Sequence, residues 1–150
     1  MAPNTSKNVN NKNIVITCAR SCISSPPPKK NKRYLLDTCA GITIANKDVV
    51  DNIHTSTQPV TVEGFGGNKN KLTLQGEFSN LKKMGTVAVM NDDATSTTIL
   101  SFGELVDAGY GPTYDPIDDK FHVTDDNKYT HVFKRLTNSH NMYATDMRPY

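Results

Sequence analysis

The 150-residue sequence predicts a mostly β domain with a single short helix. Three observations predict this. From Tyr34 onward the chain is a succession of short β-prone runs broken by Gly, Asn and Asp. Two of these runs alternate apolar and polar residues on either side of a glycine-rich tip. One stretch alone, beginning at Ser101, combines helical spacing of apolar residues with a start and a stop signal. The length suits one domain rather than two.

Taken in order, residues 1–13 are rich in Asn, Lys and Ser, a composition that favours disorder. Ile14-Val15-Ile16-Thr17-Cys18 is β-prone and predicts either an added edge strand or an unpaired segment. Pro26-Pro27-Pro28 lacks backbone donors and reads as an extended linker. The expected domain is therefore 33–147, behind a leader of residues 1–32 and ahead of a short tail at 148–150. Tyr34-Leu35-Leu36 leads into Asp37, and Ile42-Thr43-Ile44 departs from it. Val60 and Val62, then Leu72 and Leu74, flank Gly64-Phe65-Gly66-Gly67-Asn68 and predict a long hairpin with a flexible tip. Thr86-Val87-Ala88-Val89-Met90 predicts a further strand.

Ser101-Phe102-Gly103-Glu104 fits a capping box, with Ser101 as N-cap and Glu104 reaching back to it. Phe102, Leu105 and Val106 form one apolar face, and Gly109 is placed to end the helix. Phe121 and Val123 are expected to pair with Tyr129 and Val132-Phe133 across a turn at Asp125-Asp126-Asn127. Ile42, Ile44 and Leu74 are expected to be buried beneath the Asp37 loop and hairpin.

Composition narrows the function classes. The chain is 36% hydrophobic and 21% charged, with a net charge of +2, which gives no broad electrostatic footprint for nucleic acid. The basic run Lys29, Lys30, Lys32 and Arg33 offers RNA a weak contact of little specificity. No apolar run has the length of a membrane span, and the polar start carries no signal-peptide core, so a soluble intracellular protein is expected. Cys18 and Cys22 lack the further ligands of a zinc site. His54, His122, His131 and His140 have no metal-ligand spacing and are expected on the surface or in turns. Asp92-Asp93, Asp118-Asp119 and Asp125-Asp126 lack the ladder of a calcium loop. No metal and no cofactor is expected.

Chemistry concentrates at Leu35-Leu36-Asp37-Thr38-Cys39-Ala40-Gly41. An apolar strand that ends in Asp must either pair the carboxylate or use it, because an unpaired buried charge is costly. If two such loops meet on a two-fold axis, the two carboxylates cannot both ionise and share a proton. One then takes a proton from water while the other polarises a peptide carbonyl. Thr38 would tie the loops together through its hydroxyl. The competing reading, on this stretch alone, is a strand-end turn in which Asp37 satisfies backbone amides. The Gly64–Gly67 tip adds a mobile lid that can close over a bound chain.

The order Leu36-Asp37-Thr38-Cys39-Ala40, glycine-rich flap, then Ile99-Leu100-Ser101 before a helix resembles the retropepsins. Residues 33–147 look most like the aspartic protease domain of copia-type retrotransposon polyproteins. Asn141-Met142-Tyr143-Ala144-Thr145-Asp146 resembles the stretch that precedes the integrase zinc region there. The resemblance implies a small closed β-sandwich or barrel that works as a homodimer, in the cytoplasm or within virus-like particles. It implies that Asp37 and Thr38 are catalytic and that Cys39, Ala40, Gly64, Phe65, Gly66 and Gly67 contact an extended peptide of the polyprotein. Cys39 stands where the family has Gly. A side chain there could displace the carboxylate, so the alternative is an inactive, retropepsin-like binding or dimerisation module.

Overall fold

The computed structural model describes residues 14–16, 33–64, 67–91, 97–137 and 142–146. Within them the chain forms β1 (Ile14–Ile16), β2 (Arg33–Asp37), β3 (Ile44–Ala45), β4 (Val50–Gly64) and β5 (Lys69–Phe78). There follow β6 (Thr86–Val89), β7 (Thr97–Ser101), α1 (Phe102–Asp107), β8 (Thr113–Asp115), β9 (Lys120–Thr124), β10 (Thr130–Arg135) and β11 (Tyr143–Asp146). The mostly β class with one short helix is as expected. Among the described residues no helix is long and apolar enough to cross a membrane.

All the strands belong to one sheet, in the order β1-β4-β5-β6-β3-β7-β2-β11-β10-β9-β8. The end strands β1 and β8 do not pair, so the sheet is open and the expected closed barrel is not formed. Side-chain packing encloses the core instead of backbone closure. The largest cluster takes Val50, Phe78, Val87 and Val89 from one half of the sheet, Val123 and Phe133 from the other, and Leu105 from α1. The joint between the halves is narrow. β3 has two residues, parallel to β6 on one side and antiparallel to β7 on the other.

Of the two readings of the β-prone leader run, the edge strand is the one adopted. β1 lies parallel to β4, with Ile14 opposite Val62 and Ile16 opposite Gly64. The hairpin forms as β4 and β5, in register from Glu63 opposite Lys69 to Val50 opposite Phe78. Its first arm runs fifteen residues, well beyond the alternating Val60 and Val62. Register shifts at Asp51/His54 and Thr55/Val60 interrupt it. The second lets Pro59, which has no N–H to donate, sit within the arm. Across the hairpin, a Cβ at Gly76 would lie 3.0 Å from the Asp51 carbonyl oxygen, so β4 can approach this closely only over a glycine.

The helix starts and stops as its sequence predicts. The Ser101 hydroxyl accepts the Glu104 N–H, and Gly109 adopts a φ of 87°. Gly109 N–H donates to Val106 and Tyr110 N–H to Leu105, the paired bonds that close a helix C-terminus in a left-handed turn. Leu105 is fully buried and Phe102 packs at the edge of the core, whereas Val106, expected on the same face, is exposed. Ile44 is buried as expected, while Ile42 and Leu74 are half-buried at the margins of their clusters. β9 and β10 pair with Phe121 opposite Phe133 and Val123 opposite His131, and Tyr129 falls in the turn.

Candidate active site

Tyr34, Leu35 and Leu36 are each 3% exposed or less, which fixes β2 in the middle of the sheet between β7 and β11. That rigid strand delivers Asp37 to its end, opposite Ser101 of β7. The carboxyl is 1% exposed. Its Oδ1 accepts the Cys39 N–H at 2.8 Å, closing the turn. Its Oδ2 accepts nothing, and it is the one buried side-chain polar atom among the described residues without a partner. An orphan of this kind costs about 1–3 kcal/mol, which nearly every other buried polar group in a fold avoids. Thr38 and Cys39, beside it, are exposed. Cys39 does not adopt a positive φ, so the thiol side chain strains no backbone here.

A polar clamp holds the return limb of the loop. Ser101 Oγ donates to the Ala40 carbonyl at 2.8 Å, and Ser101 N–H donates to Thr43 Oγ1 at 3.0 Å. Thr43 N–H donates to Glu104 Oε2 at 2.7 Å. The capping box expected from sequence is thus half formed. Glu104 does not reach back to Ser101, because the buried Thr43 hydroxyl has already taken that N–H. The Thr43 N–H then captures the carboxylate. A local helix cap has become a long-range tie between α1, β7 and the Asp37 loop. The hydrogen bond to the carboxylate is the strongest of the set, at about 1.5–3 kcal/mol.

The hairpin reaches the same place through apolar contacts. Val62 and Leu72 pack with Ala40, Ile44 and Ile99 in one buried cluster. Gly64 ends β4 and Gly67 adopts a φ of 83°, while Phe65 and Gly66 lie outside the described residues. A cleft of about 150 Å³ opens between the hairpin and the loop, lined by Ile42, Thr43, Gln58, Val60, Gln75 and Glu104 among others. The structure therefore brings Asp37, Thr38, Cys39 and Ala40 together on one loop and packs the tip end of the hairpin, through Val62 and Leu72, against Ala40. Of the basic run, Arg33 begins β2, and Lys29, Lys30 and Lys32 lie outside the described residues.

Among the described residues no group of three or more His, Cys, Asp or Glu side chains could hold a metal ion. Two polar clusters elsewhere are self-satisfied. Asp119 accepts from Arg135, Tyr143 and Tyr114, and the Arg135 and Tyr143 bonds hold its carboxyl well below the usual carboxylate range. The same contact with Asp119 pushes the Tyr143 hydroxyl up to about 12. His131, expected at the surface, is instead 2% exposed, with Nε2 2.8 Å from Asp125 Oδ2. It lies on the inward face of β10 with Phe133. His54 is exposed, His122 half-buried, and His140 outside the described residues. The roles of Thr43 and Glu104 escaped sequence reading, since the partners stand 61 residues apart and no local pattern joins them.

The chain matches no family model, no curated protein and no solved structure.

Proposed function

We propose that this chain is one half of a retropepsin-like aspartic endopeptidase, a homodimer that cleaves the polyprotein of a retroelement. The observation that carries this reading is the buried, partnerless Oδ2 of Asp37, at the end of a strand fixed by the core and beside an exposed Thr38-Cys39. A single chain leaves this oxygen unsatisfied. A second Asp37 across a two-fold axis supplies what it lacks: one proton held between two carboxylates. The ionised member takes a proton from a water, the water oxygen attacks the peptide carbonyl, and the protonated member donates to the carbonyl oxygen. Collapse of that intermediate breaks the C–N bond, the amine leaving with a proton. The clamp on Thr43 and Ala40 keeps the loop in place, and the Gly64–Gly67 tip closes over the peptide, which binds as an added strand.

The test is cleavage of a peptide library by the unmodified chain and by Asp37→Asn. The expected result is cleavage that falls by about 10²–10⁴-fold in the variant, the scale of acid–base catalysis, and that rises more steeply than linearly with protein concentration. Cleavage that survives Asp37→Asn would remove the reading. Cys39 favours a second reading, an inactive module on the same scaffold, because its exposed side chain stands where two such loops would meet. In that case the unmodified chain is silent and Cys39→Gly gains activity, by about 100-fold if the thiol displaces the carboxylates by an ångström.

A further inference from the structure

The cleft between the hairpin and the Asp37 loop has a chemistry of its own. Ile42, Val60 and Leu72 give it an apolar wall, and the latter two belong with Ile42 to the cluster that contains Ala40. Gln58 and Gln75 provide neutral polar groups on the hairpin side. Among the described residues, the single charged one that lines it is Glu104, which is half-buried. Glu104 Oε2 is spent on the Thr43 N–H, and Oε1 has no partner among the described residues. Among the described residues no Lys, Arg or His lines the cleft to neutralise the carboxylate.

We propose that this cleft takes the side chain of a lysine in an extended peptide, with Glu104 as the residue that selects it. The proposal rests on the reading that a peptide lies between hairpin and loop, and it adds the class of residue that peptide carries. The volume of about 150 Å³ is that of a site able to hold benzene, six heavy atoms, and a lysine side chain has five beyond Cα. The apolar wall covers the four-carbon stem while the ammonium reaches the carboxylate. Lysine fits better than arginine for a geometric reason. A guanidinium fork is matched by two carboxylate oxygens, and Glu104 has one to offer, which suits a compact point charge. Glu104 thereby serves two ends: Oε2 holds the loop that carries Asp37, and Oε1 faces selection.

Binding tests this apart from catalysis. The full chain carrying Asp37→Asn is titrated, by fluorescence anisotropy, with labelled octapeptides in which one lysine is moved through successive positions of an otherwise neutral sequence. A matched set carries norleucine at the same positions. At one position lysine is expected to bind about tenfold tighter than norleucine, the weight of one charge-assisted hydrogen bond. Adding Glu104→Gln, which keeps an acceptor for Thr43, should bring the two to parity. Adding Gln75→Lys, which places a competing cation at the wall, should do the same and serves if the first variant fails to fold. Side-chain amide resonances of Gln58 and Gln75 should move with the lysine peptide. Parity before any change at Glu104 overturns the proposal, as does a lysine preference that survives both variants or a failure of every peptide to bind. Lysine-selective binding without cleavage by the unmodified chain would remove the protease reading and leave the cleft assigned. Cleavage without lysine preference would do the reverse.

Discussion

At the scale of single residues, Asp125 shows how a turn residue acquires a second task. Its Oδ1 accepts the N–H groups of Asn127 and Tyr129, as an Asp in a turn commonly does, while Oδ2 meets His131 and Asn80 inside the fold. Burial pushes the carboxyl up, but the bonds from His131, Tyr129 and Asn80 outweigh that and hold it below its ordinary value. A carboxyl depressed in the folded state contributes stability that is present above the unfolded value, about 3.9. The contribution is lost as pH falls below that point through the lower folded value. Asp125→Asn should cost about 1–3 kcal/mol at neutral pH by urea unfolding, the cost of leaving buried donors less well paired. The gap between variant and parent should shrink below pH 4. Sequence made the turn legible because Asp125-Asp126-Asn127 is a local signal. It could not show the burial of His131, since one imidazole on a strand faces in or out according to register alone. Asp37 was legible for the opposite reason: three consecutive apolar residues before it announce a buried strand wherever its neighbours lie.

At the scale of elements, the clamp between α1 and the Asp37 loop is the part that carries most weight. Thr43→Val removes the hydroxyl, keeps the shape, and leaves the buried Ser101 N–H unpaired. The expected cost is about 1–3 kcal/mol in urea unfolding. Amide exchange should quicken at Thr38–Thr43 more than in β9 and β10, because the change frees one loop rather than the whole core. An equal rise in all strands would show that Thr43 supports packing and not the loop. The helix itself was readable from Ser101, Glu104 and Gly109, all within one local pattern. The hairpin was half readable. Val60, Val62, Leu72 and Leu74 alternate, but Asp51–Pro59 is a mostly polar run with no alternation, and it pairs with β5 at Asp51, His54 and Thr55 alone.

At the scale of the whole molecule, sequence showed two neighbouring pairs, β4–β5 and β9–β10, but not the order in which the other strands join them. The sheet places β11, the last strand among the described residues, between β2 and β10, so late residues of the chain join β10, β9 and β8 to the rest of the sheet. Ending the chain before Met142 would leave β2 and β10 each with an open edge and divide the sheet in its interior. The expected outcome is the loss of a single cooperative urea transition. A truncated chain that still unfolded in one step at the parent midpoint would show that β11 is dispensable. The closed barrel expected from resemblance gave way to an open sheet whose halves share a core.

The 61-residue span between Thr43 and Glu104 also sets a schedule. During synthesis at about 5–20 residues per second, the Asp37 loop emerges roughly 3–12 seconds before the side chain that fixes it. The loop therefore reaches its observed hydrogen bonding only once β7 and α1 have been made, a delay set by the distance in sequence between two hydrogen-bonding partners.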